Sequence, residues 1–181
     1  MKRILTAALL LGALTTPALA NMKVGDTAPT FTAKATVGGD QFTFSLADAL
    51  KKGPVVLYFF PKAFTKGCTA EAHEFAEAAA QFKAAGATLI GMSADDIGTL
   101  HKFSTQECSS KFPVAADPNL KVIKAFDSVM VSTSSKALNL ADRVSYVIAP
   151  NGKIVFAYTA MSPEGHVSGT LNAVKKWKAK K

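Results

Sequence analysis

Cys68 closes the run Pro61-Lys62-Ala63-Phe64-Thr65-Lys66-Gly67-Cys68, which follows an apolar stretch and precedes an alanine-rich one. A thiol at the first turn of a helix meets unpaired backbone N–H groups and the positive end of the helix dipole, and both favour thiolate over thiol. The chemistry to expect is nucleophilic or redox, with an inert buried cysteine as the plain alternative. Residue 71 is glutamate, so Cys68 is not half of a Cys-x-x-Cys pair. The only other cysteine is Cys108. His73, His101 and His166 show no metal-ligand spacing with either thiol, so no metal is expected, and nothing in the chain calls for a cofactor.

The elements that must position Cys68 follow from apolar patterning. Continuous apolar runs alternate with amphipathic segments, which points to an α/β domain. Thr30 to Ala35 and Gln41 to Phe44 flank Gly38-Gly39 and read as a hairpin. Ser45 is a candidate N-cap for a short helix ending at Leu50. Val55 to Phe60 reads as a strand buried on both faces, stopped by Pro61. A helix is expected from about Gly67 to Ala85, closed by Gly86, with Phe75 and Phe82 on one face. Ala87 to Met92 is a second buried strand, and Asp95 to Ser109 a helix capped by Asp95 or Asp96, with Cys108 near its end. A short strand at Val114-Ala115 precedes Asp117-Pro118, where another short helix can begin. Val144 to Ala149 and Ile154 to Tyr158 form a second hairpin around Asn151-Gly152, Ser132 to Ser135 is a loop, and a last helix runs from about Pro163 to Lys178.

Residues 1–20 read as a cleavable export signal: Lys2 and Arg3, the apolar run Ile4 to Leu14, then Ala18-Leu19-Ala20. The apolar run is too short to span a bilayer, so the mature chain, 21–181, is expected to be one domain with no membrane association, in a periplasm or outside the cell. Losing Lys2 and Arg3 takes the formal charge from +8 to +6. The basic tail Lys175 to Lys181 lacks the interleaved aromatics of a single-strand binder, so no nucleic acid is expected. Two cysteines do not make a disulfide scaffold.

The run Tyr58-Phe59-Phe60-Pro61-Lys62-Ala63-Phe64-Thr65-Lys66-Gly67-Cys68-Thr69-Ala70-Glu71 resembles the peroxiredoxin motif P-x-x-x-T-x-x-C, in the form of the bacterioferritin comigratory protein, or PrxQ, branch. Arg143-Val144-Ser145-Tyr146-Val147-Ile148-Ala149-Pro150-Asn151-Gly152-Lys153-Ile154 resembles the family's arginine-bearing strand and hairpin, and the likeness runs from Gly25 to the last helix. The resemblance implies a thioredoxin-like fold, a central mixed β-sheet flanked by helices with an N-terminal hairpin. It implies a peroxidase acting on hydrogen peroxide and organic hydroperoxides, with Cys68 as the peroxidatic nucleophile that becomes a sulfenic acid. Arg143 would favour the thiolate and steady charge on the departing oxygen, Thr65 would accept from the peroxide while donating to the thiolate, and Pro61 would shield the site. Glu71, one turn into the helix, is expected to meet the helix dipole whatever the function. Phe64 and Phe126 could line an entrance, but core packing is the expected use of both.

The chain departs from its branch where a resolving cysteine often stands, five residues after the first: here that position is His73, to which no role is given. The favoured expectation is that Cys108 resolves Cys68 through an intramolecular disulfide, reduced by a thioredoxin-like partner in the same compartment. A one-cysteine cycle with an external thiol stays open, as does a redox or binding module without peroxidase activity. The chain is expected to be a monomer or a homodimer.

Overall fold

The computed structural model describes residues 21–134 and 136–179. The expected export signal at 1–20 lies outside the described residues, as do Ser135 and the last two lysines.

Strands β1 (Thr32–Val37) and β2 (Asp40–Ser45) pair antiparallel around Gly38 and Gly39, at φ 58° and 97°. Two consecutive left-handed residues make the mirror-image turn that fits strand twist, and glycine adopts it without strain. Helix α1 (Leu46–Leu50) follows, capped by Ser45, whose hydroxyl accepts from the Asp48 N–H at 3.2 Å. Strand β3 (Val55–Phe59) is wholly buried, as its unbroken apolar run requires.

Helix α2 (Lys66–Ala84) turns Cys68, Ala72, Phe75, Ala76 and Phe82 inward at helical spacing. Its end is a Schellman closure: Gly86 sits at φ 80°, its N–H reaching the Lys83 carbonyl and that of Ala87 the Phe82 carbonyl, each at 2.9 Å. Strand β4 (Thr88–Ser93) pairs parallel with β3. Helix α3 (Ile97–Gln106) is capped by Asp96, which accepts from the Thr99 N–H at 2.9 Å. It stops short of the expected Ser109, so Cys108 lies in the turn after the helix.

Strand β5 (Val114–Ala116) leads to helix α4 (Lys121–Ala125). The Asp117 carboxylate prepares that helix by accepting from the N–H groups of Lys121, Val122 and Ile123 at 2.9, 2.7 and 2.8 Å. Strands β6 (Val129–Val131) and β7 (Ala137–Ala141) form a separate antiparallel pair. Strands β8 (Val144–Ile148) and β9 (Ile154–Thr159) make the Asn-Gly hairpin, and α5 (His166–Lys178) ends the fold.

The main sheet runs β2-β1-β5-β4-β3-β8-β9, with β5, β4 and β3 parallel and the rest antiparallel. Leu57 and Phe59 face a core shared with α1 and α4, while Val56, Tyr58 and Phe60 face one shared with α2, α3 and α5. Each such buried side chain contributes about 1.5–3 kcal/mol. Both cysteines belong to the second core. Among the described residues no helix is long and apolar enough to cross a membrane.

Candidate active site

The site forms where β3 ends and α2 begins. The Phe60 N–H continues the ladder to the Met92 carbonyl at 3.0 Å, and half-buried Pro61 then turns the chain away from the sheet. The loop is fastened to the far end of β4: the Asp95 carboxylate accepts from the Ala63 N–H at 2.8 Å and from the Ser93 hydroxyl at 2.9 Å. Asp95 therefore holds the loop while Asp96 caps α3, which separates two neighbours that looked equivalent as caps.

Cys68 is the third residue of α2, inside the turn whose N–H groups have no intrahelical partner, and it is 1% exposed. Arg143, immediately before β8, reaches it because β8 pairs with β3 in a register that sets Val144 opposite Phe59. Its Nη2 donates to Cys68 Sγ at 3.3 Å, its Nε to the Met161 carbonyl at 2.9 Å, and its Nη1 forms an ion pair with Glu71. One guanidinium thus spends its fork on sulfur, carbonyl and carboxylate together, which a lysine cannot do.

Three readings from the sequence change here, and one holds. Glu71 lies beyond the first turn of α2 and is fully buried against Arg143, so its partner is a charge and not the helix dipole. Burial pushes its carboxyl up to about 7 despite the opposing pull of Arg143. Thr65 occupies the N-cap position without a side-chain cap bond, and its hydroxyl donates to the Lys62 carbonyl at 3.0 Å, not to the sulfur. Phe64 is not core: it is 44% exposed at φ 63°, its ring edge-on to Phe103. Phe126 is core, as expected, on the opposite side of the sheet from Cys68.

Two participants had no clear signal in the sequence. Gly67 leaves room for the guanidinium, since a Cβ there would stand 3.0 Å from Arg143 Nη2. His166 is buried with Nδ1 at 2.8 Å from the Ser145 hydroxyl and 3.6 Å from Glu71 Oε1, and Nε2 at 3.0 Å from the Ala160 carbonyl. Burial first, then Arg143, holds its pKa down despite the Ala160 bond.

Cys108 is also free and buried; burial and, secondarily, Glu107 push its thiol up. Both thiols act on Tyr58, whose phenol is pushed up chiefly by burial and then by Cys108, Glu71 and Cys68. Among the described residues no group of three or more His, Cys, Asp or Glu could hold a metal ion.

A mixed sheet that brings an arginine onto a cysteine in the first turn of a helix defines a thiol-chemistry site on a thioredoxin-like scaffold. The chain belongs to the AhpC/TSA family, whose model matches residues 24–157. It is 30% identical over 122 residues to peroxiredoxin Bcp of Xanthomonas campestris, covering 67% of this chain and 76% of that one. To the chloroplastic peroxiredoxin Q of Sedum lineare it is 32% identical over 161 residues, 88% of this chain and 81% of the relative. The crystal structure of peroxidoxin BcpB from Mycobacterium tuberculosis superposes with a TM-score of 0.76 at 28% identity, covering 86% of this chain and 97% of that one. These relatives set it in the Bcp/PrxQ branch of the peroxiredoxins, as a thiol-dependent peroxidase that takes a peroxide substrate and a thioredoxin-like reductant.

Proposed function

We propose that Cys68 is the peroxidatic residue, acting on hydrogen peroxide and organic hydroperoxides in a periplasm or outside the cell. The observation that carries this reading is the 3.3 Å contact from Arg143 Nη2 to Cys68 Sγ, made between two buried side chains. A thiolate accepts such a charge-assisted bond, and the same guanidinium steadies charge on the leaving oxygen. Cys68 sulfur attacks one peroxide oxygen, the O–O bond breaks, and the departing oxygen takes up a proton to leave as water or alcohol. Cys68 is left as a sulfenic acid. Thr65, after turning from Lys62, supplies a hydroxyl to the peroxide, and Pro61 keeps the loop closed against water.

Cys108 then resolves the sulfenic acid as an intramolecular disulfide, and a thioredoxin-like reductant of the same compartment reopens it. Export is inferred from the signal-like residues 1–20. Asn21, the first residue after the expected cleavage, donates to the Asp142 carboxylate at 3.0 Å. The mature protein acts as a monomer or homodimer.

The test is peroxide consumption with a defined thiol reductant by the wild type, Cys68→Ser, Arg143→Ala and Cys108→Ser. Rapid consumption lost in the first two variants supports the assignment. Wild-type oxidation no faster than that of an ordinary free cysteine overturns it. Turnover undiminished in Cys108→Ser assigns the cycle to one cysteine.

A further inference from the structure

His73 stands where relatives of this branch can carry a resolving thiol, and the structure gives it a partner. Its Nε2 lies 2.8 Å from Glu107 Oε2, joining α2 to the residue immediately before Cys108. Glu107 is the C-cap of α3, and its N–H and that of Cys108 both reach the Phe103 carbonyl, at 2.9 and 3.1 Å. Next come Ser109 and Ser110 at φ 50° and 56°, two consecutive left-handed residues of which neither is glycine. Each such residue costs on the order of 1 kcal/mol, and that strain persists only where its surroundings hold it. The turn is thus strained, carries a wholly buried thiol, and is tied to the peroxidatic helix by a side-chain pair.

We propose that the His73–Glu107 pair is a latch on the turn that carries Cys108 and sets the rate of the resolving step. The inference rests on the reading that Cys108 resolves Cys68. While the latch is closed, Cys108 stays in the apolar core beside Phe103 and Phe112, where a thiol is held neutral and unreactive. When it opens, release of the strained serines favours remodelling of the turn and the thiol meets solvent. Cys108 sulfur then attacks the Cys68 sulfenic sulfur, the S–S bond forms, the S–O bond breaks, and the oxygen leaves as water with the Cys108 proton. Peroxide is the oxidant throughout. His73 and Glu107 touch neither peroxide nor sulfur, so they are positioning residues.

The experiment separates the two chemical steps. Reduced wild type, His73→Ala, Glu107→Gln and the double variant are mixed with one equivalent of hydrogen peroxide, quenched at intervals and read by mass spectrometry for sulfenic acid and disulfide. A half-exposed pair of this kind predicts disulfide formation about two- to five-fold faster in each single variant, with sulfenic acid formation unchanged. In the double variant the gain is no larger than in one single variant, because both remove the same contact. His73→Gln, which keeps a donor, returns toward the wild-type rate. A second measurement needs no peroxide: in the Cys68→Ser background, His73→Ala labels Cys108 with a thiol reagent faster by the same factor. Unchanged or slower disulfide formation and labelling in folded variants overturns the latch. Absence of a Cys68–Cys108 disulfide in wild type, with faster labelling in His73→Ala, overturns the resolving role while leaving the latch as a gate on the turn.

Discussion

Gly67→Ala tests whether the approach of Arg143 to Cys68 sets the rate. Position 67 is inside α2 with no left-handed backbone, so alanine fits the helix and should favour it by up to about 1 kcal/mol. The added Cβ, however, would stand 3.0 Å from Arg143 Nη2 and 3.9 Å from Cζ. The guanidinium has little freedom to retreat, because Nε is bonded to Met161 at 2.9 Å and Nη1 to buried Glu71. A shift of a few tenths of an ångström lengthens the 3.3 Å contact to Cys68. A hydrogen bond to a charged group is worth about 1.5–3 kcal/mol, and losing roughly the lower half of that slows the attack about tenfold. The assay pairs the second-order rate of Cys68 oxidation by hydrogen peroxide with thermal unfolding of the reduced protein. The expected result is a slower reaction with Tm equal to or above wild type. An unchanged rate, or a rate loss matched by a fall in Tm, refutes the reasoning.

Arg143→Lys keeps the charge but loses the fork, and should lower kcat/KM by about 10²–10³ in steady-state peroxide assays. Glu71 makes stability depend on pH. Its carboxyl is raised from 4.5 to about 7 by burial, so the folded state keeps a proton the unfolded chain gives up. That contribution is full below about 4.5 and is lost as pH rises to about 7, amounting to about 3 kcal/mol at roughly 1.4 kcal/mol per pH unit. Urea titrations across this window should show the slope in wild type and not in Glu71→Gln. Asp117→Ala leaves three backbone N–H groups at the start of α4 without their acceptor and should cost at least about 2 kcal/mol, read as a lower urea midpoint.

The elements with strong local signals were legible in the sequence. Gly38-Gly39, the run Val55 to Phe60, the alanine-rich α2 with its closing Gly86, and the Asn-Gly hairpin each stand within a few residues of the expected place, because backbone sterics and burial decide them locally. The pair β6–β7 was not: its three- and five-residue strands flank the loop expected at Ser132 to Ser135 and alternate too weakly to be read as strands. The site was legible as a set of residues but not as a set of partners. Cys68 and Arg143 could be named from the chain, yet the ion pair with Glu71 depends on the β3–β8 register, and His166 meets Glu71 only because α5 packs back over β8. Thr65 shows the same limit, since its hydroxyl has a backbone carbonyl within reach that no sequence pattern announces.

The near-complete enclosure of Cys68 makes the fold a molecular sieve. A thiol 1% exposed is closed to a reagent with a bulky body. A peroxide can meet the sulfur with α2 intact, whereas a protein or large thiol reductant must wait until the first turn of that helix opens. A bulky reagent's access to Cys68 thus depends on opening that turn, and the resting enzyme is spared bulky alkylating agents that an equally nucleophilic but open thiol would meet.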